Sequence, residues 1–225
     1  MSAFFINIDP ENSSYSRGAT AFYRLIAVGR VVAGSLLIGV AVERWEMELL
    51  GRYFAGDALA IVAGHGRVVA GLALKVGRML GLAEAECRFV EEAALLHDIG
   101  VCRIQAPSLG LDGGFPYIMH GIIGREILEE EGLPRHALVC ERHIGVGLTL
   151  EDVIRQQLPL PQRDMIPCSI CEQIICFADL FYSKSPGRIE LQKSPEQVRT
   201  KLAGFGGDKL QIFDGWMELF GAALE

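Results

Sequence analysis

Hydrophobic positions along this chain recur at three- and four-residue steps far more often than in alternation, so the pattern predicts helices and few strands. Over 57–80, Leu59, Val62, Val69, Leu72, Val76 and Leu80 mark one apolar face, and Gly81 offers a left-handed cap after it. A second helix is expected from about Glu84 to Asp98, with acidic residues near its start and Gly100 beyond its end. The Gly, Pro, Ser and Asp content of 104–115 marks a loop. Pro116 suits the first turn of a helix reaching about Glu131, and Pro134 that of the next, reaching about His143. Ser169-x-x-Glu172 reads as a capping box opening a helix through Ser183. Ser194-Pro195 opens another, closed by Gly204, and 208–220 forms a last amphipathic helix. No repeat of 20–50 residues is visible. The expected class is all-α.

Composition narrows the function. The chain has 225 residues, half of them hydrophobic, which is enough for a sizeable core. Its formal net charge of -7 argues against long nucleic acid as a partner, because backbone binding needs a basic stripe. A small phosphorylated substrate stays compatible with that charge, since metal ions can provide the positive field. Six cysteines lie mostly within apolar helical patterns, which points to a reducing, cytoplasmic setting. Residues 1–20 lack the basic start of a secretory signal. Leu25–Val42 is apolar except for Arg30, but that Arg and three glycines weigh against a membrane span. Residues 1–46 are therefore expected to be a disordered or loosely packed extension or a weak hydrophobic anchor. A helical domain is expected over 47–184, with C-terminal helices over 185–225 packed on it.

The chemistry gathers on a few side chains. His97-Asp98 follows the apolar run Ala93-Ala94-Leu95-Leu96, and an ionisable pair there must be paired or metal-bound, because burying a lone charge is costly. His65, His120 and His143 also take helical positions, and Asp179 lies within the apolar stretch 174–181. Imidazole and carboxylate suit Fe, Mn, Zn, Co or Ni, and six such donors suit two ions better than one. His136 competes with His143. Seven residues of straight helix span about 10.5 Å, too far for both to reach one close ion pair. Arg103, Arg142 and Lys184 are candidates to hold substrate phosphate, each near a candidate ligand in sequence. Cys168-x-x-Cys171 has no second Cys-x-x-Cys to complete a zinc site, so packing at a helix start is the expected role.

The strings ALLHDIG, MHGIIGREIL, GLPRHALVCERHIGVGLT and ICFADLFYSK, with His65 before them, resemble the HD superfamily of metal-dependent phosphohydrolases. The likeness is to small bacterial members without an established substrate and runs from about Leu49 to Phe220. It implies an HD-domain helical bundle with metal held by His65, His97, Asp98 and Asp179. Relatives with two further histidines hold two metals, and the matching positions are His120 and His143. Residues 1–46 and the cysteine-rich 168–176 depart from the pattern. The resemblance implies hydrolysis of a small phosphate ester, with a nucleotide as the expected substrate, and Asp98, Arg103 and Lys184 are the residues expected at the reacting group. The alternatives are a non-catalytic nucleotide-binding sensor and a phosphodiesterase for dinucleotides. The loop between His97-Asp98 and His120 is expected to cover the metals or form a pocket wall.

Overall fold

The computed structural model describes residues 45–185 and 187–225. The apolar stretch 25–42 and most of the expected N-terminal extension lie outside the described residues. Residues 45–53 are helical (α1), followed by α2 (Gly56–Met79), α3 (Glu84–Leu96), α4 (His120–Glu130), α5 (Pro134–Arg142), α6 (Leu150–Arg155), α7 (Ile170–Leu180), α8 (Pro195–Ala203) and α9 (Gly207–Phe220). The all-α expectation holds. Among the described residues the named strands are a two-residue pair, Gln105–Ala106 against Leu111–Asp112, inside the expected loop.

Local signals in the sequence set most of the helix ends. Gly81 takes φ 70° after α2. Ser194 caps α8 in a full capping box with Gln197. At α7 the box is shifted: Ser169 accepts from the Glu172 amide, but the Glu172 carboxylate accepts from the amide of Cys168. Pro116 precedes a single 3-10 turn, Tyr117–Met119, and α4 begins only at His120. Short α6 was not expected from the pattern, although Thr149 and Asp152 form a capping box there. Its six residues are too few to show a hydrophobic period. The boundary drawn between 46 and 47 falls inside α1, where Glu46 is buried and Trp45 packs near His136.

Two apolar clusters build the interior. One joins the C-terminal half of α2 to α3, α7, α8 and α9 through Val69, Val76, Phe177, Phe181, Phe213 and Phe220. The other joins α1 and the start of α2 to α4, α5 and the 99–109 segment through Leu50, Val62, Ile99, Ile104 and Ile127. Helix α2 runs through both. By length and composition α2 could cross a membrane, but half of its most apolar window is buried inside the protein. His65 sits on it between Ala63 of one cluster and Val69 of the other, so the polar centre occupies the seam between them.

Close backbone approach holds the seam together. At Gly66 a Cβ would come within 3.0 Å of the Leu95 carbonyl, so α2 can lie close to α3. At Gly100 a Cβ would overlap the carbonyl of His120 and the amide of Gly124. The turn after Asp98 is therefore pressed onto the first turns of α4, and backbone cannot yield as a flexible side chain would. Gly100→Ala should cost at least about 3 kcal/mol in urea denaturation, beyond the usual range for overpacking. Gly71→Ala, exposed on α2 with nothing within 4 Å of the new methyl, should instead stabilise by about 0.5–1 kcal/mol. Equal midpoints for the two variants would show that this contact does not constrain the fold.

Candidate metal centre

Three of the candidate histidines stand at helix ends, and the same local device orients all three. His97 and His143 follow the last residues of α3 and α5, and His120 follows the 3-10 turn before α4. Carbonyls at such ends lack partners within the helix. Each histidine donates its Nδ1–H to the carbonyl three residues earlier: Ala94 at 2.6 Å, Tyr117 at 2.7 Å and Cys140 at 2.8 Å. With Nδ1 committed, each ring turns Nε2 to the interior, where it offers a lone pair whenever the ring is neutral.

Those lone pairs converge on two carboxylates. Asp98 Oδ1 lies 3.5 Å from His120 Nε2 and 3.6 Å from His143 Nε2. Its Oδ2 lies 3.1 Å from His97 Nε2 and 3.5 Å from His65 Nε2. Asp179 Oδ1 is 2.8 Å from His65 Nε2 and 3.6 Å from His97 Nε2. All six residues are buried, Asp179 the least so. His120 Nε2 and His143 Nε2 stand only 3.0 Å apart. Two neutral imidazoles cannot both offer lone pairs at that distance without a proton or cation between them. Neighbouring donors on one ion, with bonds near 2.1 Å, stand about 3.0–3.4 Å apart, so these spacings fit shared coordination. His97 Nε2 and both Asp98 oxygens also lack an aligned hydrogen-bond donor. The donor set can hold metal, in overlapping groups that share Asp98 and His97.

Electrostatics describe the same need for positive charge. Burial favours neutral carboxyls at Asp98 and Asp179, yet both are held well below the usual range, Asp98 by His97 and Lys184, Asp179 by Lys184, His65 and His97. Burial also opposes a charge on His97, but Asp98 and Asp179 overcome it and raise the imidazole to about 10. Burial lowers His65 to about 4, and burial with neighbouring His143 lowers His120 to about 3. Lys184 Nζ stands 2.8 Å from Asp98 Oδ2, an ion pair that lacks hydrogen-bond alignment. Burial disfavours the ammonium, but Asp98 and then Tyr117 and Asp179 hold its pKa above the ordinary lysine value.

The structure thus brings His65, His97, Asp98, His120, His143, Asp179 and Lys184 into one cluster. His136 lies elsewhere, with Nε2 3.2 Å from Glu92 and its ring edge-on to Phe89. It is buried rather than on the surface. Arg103 is exposed and does not line the cleft beside the cluster, and Arg142 pairs with Glu172 at 3.0 Å. Cys168 and Cys171 are not bonded to each other, and Cys171 Sγ donates to Glu86 at 3.1 Å.

The cleft itself corrects one expectation. No residue of 104–116 lines it, because Ile104, Ala106 and Leu109 are used in the second apolar cluster. Its walls are Tyr117, the 143–145 turn, the end of α7 and one face of α8. The sequence reading missed Tyr117, whose hydroxyl is buried without a hydrogen-bond partner and whose pKa burial pushes up to about 12. Its polar tip resembled any core tyrosine in the sequence.

Residues 62–182 match the family model described as HD domain. Over 160 residues the chain is 31% identical to a protein of Thermoplasma volcanium named tRNA (cytidine(56)-2'-O)-methyltransferase, covering 71% of this chain and 41% of that one. It is 39% identical over 97 residues to an uncharacterized protein of Methanocaldococcus jannaschii, 43% of this chain and 50% of that one. A Picrophilus torridus protein with the same methyltransferase name is 36% identical over 103 residues, 45% of this chain and 26% of that one. The chain therefore spans half or less of the length of these relatives. No solved structure matches it.

The pKa directions define a pH profile for chelator-treated protein. His65 and His120 are lowered from 6.5, so the unfolded chain binds more protons below 6.5 and stability falls as pH drops toward 4. His97 is raised, so its contribution is complete below 6.5 and is lost as pH rises toward 10. Urea midpoints measured from pH 5 to 9 should peak near pH 6.5. A steady rise across that range would contradict the charge assignment at His97.

Proposed function

The chain belongs to the HD domain family, and from that premise we propose that it is a metal-dependent phosphohydrolase acting on a small phosphate ester, with nucleotides the first class to test. The observation that carries this reading is the facing pair of His120 and His143 Nε2 atoms, 3.0 Å apart beside Asp98 Oδ1. With both Nδ1 atoms committed to carbonyls, the two facing Nε2 atoms need a shared proton or a cation between them, and the adjacent Asp98 carboxylate favours the cation. His65, His97, Asp98 and Asp179 would hold one ion, and His120 and His143 together with Asp98 would hold a second. When bound, divalent ions supply Lewis acidity that activates water and offsets charge on phosphoryl oxygens.

The chain's own groups do the rest. The carbonyl bonds at Nδ1 keep three imidazoles aimed before anything binds, so little reorganisation is needed. Lys184 and the neutral Tyr117 hydroxyl both face the cleft and provide donors for phosphate oxygens. Apolar walls limit water around the reacting group. The free state of all six cysteines suits the reducing cytoplasm in which we place the protein.

The relatives' printed name suggests tRNA as a second substrate class. The chain spans under half of those methyltransferases, and its net charge of -7 disfavours a long polyanion. A complete donor set supports an enzyme over a sensor, which would tolerate loss of ligands.

Purified full-length protein reconstituted with Mn, Fe or Co should carry about two ions per chain and release phosphate from small esters. Asp98→Asn should lose both ions and lower turnover at least about a thousandfold, and Lys184→Gln should lower it about a hundredfold. His136→Ala should keep the full metal content. One ion per chain would remove the paired assignment, and cleavage of tRNA in preference to every small phosphate would favour the second class.

A further inference from the structure

Helix α8 lies beyond the residues matched to the family, yet it forms a wall of the cleft. The residues it contributes are Val198, Lys201, Leu202 and, just past its end, Phe205. These positions follow the i, i+3, i+4, i+7 spacing of a single helix face. That face is directed at the metal cluster. Three of its four members are apolar, and the fourth is a lysine.

Val198 and Leu202 are also anchored in the main apolar cluster, so the face is fixed to the core. Phe205 is half-buried at the turn into α9, and Lys201 is exposed. Burial lowers the Lys201 ammonium while nearby Asp179 raises it and Lys184 lowers it, which fits a cation overlooking the same centre. Charge balance then narrows the ligand. Lys184 pairs with Asp98, and Lys201 adds a second cation near Asp179, so even after His97 gives up its proton any divalent ion leaves a net positive cleft. A phosphate monoester dianion matches that surplus better than a diester, which carries a single charge. The cleft is also small, about 40 Å³, which favours a compact ligand over an extended one.

We propose that this face of α8 is the recognition wall of the cleft and selects phosphate monoesters bearing an aromatic or apolar organic group. Lys201 holds a phosphoryl oxygen, and Phe205 with Leu202 packs the organic group. This rests on the phosphohydrolase reading for the phosphoryl site but not for its test, which measures binding.

The test uses the full chain loaded with Mn and non-hydrolysable phosphonates in titration calorimetry. Phenylphosphonate should bind at least about tenfold more tightly than methylphosphonate, and the singly charged, likewise non-hydrolysable diphenylphosphinate should bind at least about tenfold more weakly than phenylphosphonate. Lys201→Gln should weaken both phosphonates about tenfold, and Lys201→Arg should restore most of the loss. Phe205→Ala should remove the phenyl preference without weakening methylphosphonate, with helicity by circular dichroism confirming the fold of each variant. Equal binding of the two phosphonates, no binding of either, or wild-type affinities in both Lys201→Gln and Phe205→Ala would overturn the proposal. If phosphonates follow the expected order while no phosphate ester is hydrolysed, recognition stands and the hydrolase reading fails.

Discussion

Two carboxylates, Asp98 and Asp179, are held ionised inside a closed helical core, and much of the structure answers that constraint. A charge without a partner in such a place is strongly destabilising. Lys184 and a protonated His97 supply compensation from within the chain. Of the remaining rings, His65 donates its Nε2–H to Asp179, while His120 and His143 turn Nε2 toward Asp98, an arrangement whose natural completion is a metal ion. Binding of such an ion requires His97 to give up its proton, so metal affinity and pH are linked at this one ring.

The aim of these side chains comes from backbone that would otherwise be unsatisfied. Helix ends leave carbonyls without partners, and three histidines use them. The arrangement satisfies the helix end and fixes the ring in one step. It also demands that α3, α4 and α5 meet closely. Gly100 permits this where the turn after Asp98 touches α4, and Gly121 and Gly124 do so where α4 meets α5 at Cys140. The centre and the seam between the two apolar clusters are thus one feature, and packing faults in the seam would displace ligands.

Part of what encloses the cleft lies beyond the residues matched to the family. The family match ends at residue 182, before Lys184 and before α8. Buried Lys209 ties α9 to the α6 cap by pairing with Asp152, and Phe213 and Phe220 seat α9 on α7. The C-terminal helices are therefore built into the main core, which gives α8 a fixed position over the metal cluster.

The sequence by itself determined the helical class, the family, most helix limits and the clustering candidates at His65, His97, Asp98, His120, His143 and Asp179. It could do so because helical period, caps and an ionisable residue within an apolar run are local signals. Helix α6 was missed because six residues cannot display a period, although its cap was present in Thr149 and Asp152. The resemblance already preferred His143 to His136, and the tertiary structure gives the reason: both lie near α5, but only one end of that helix meets Asp98, while the other meets Glu92. It also put α8 where the glycine-rich loop had been expected, and left Arg103 on the surface. Those outcomes depend on how distant helices pack, which is set by the summed burial of many apolar contacts and has no signature in the few residues that end up facing the site.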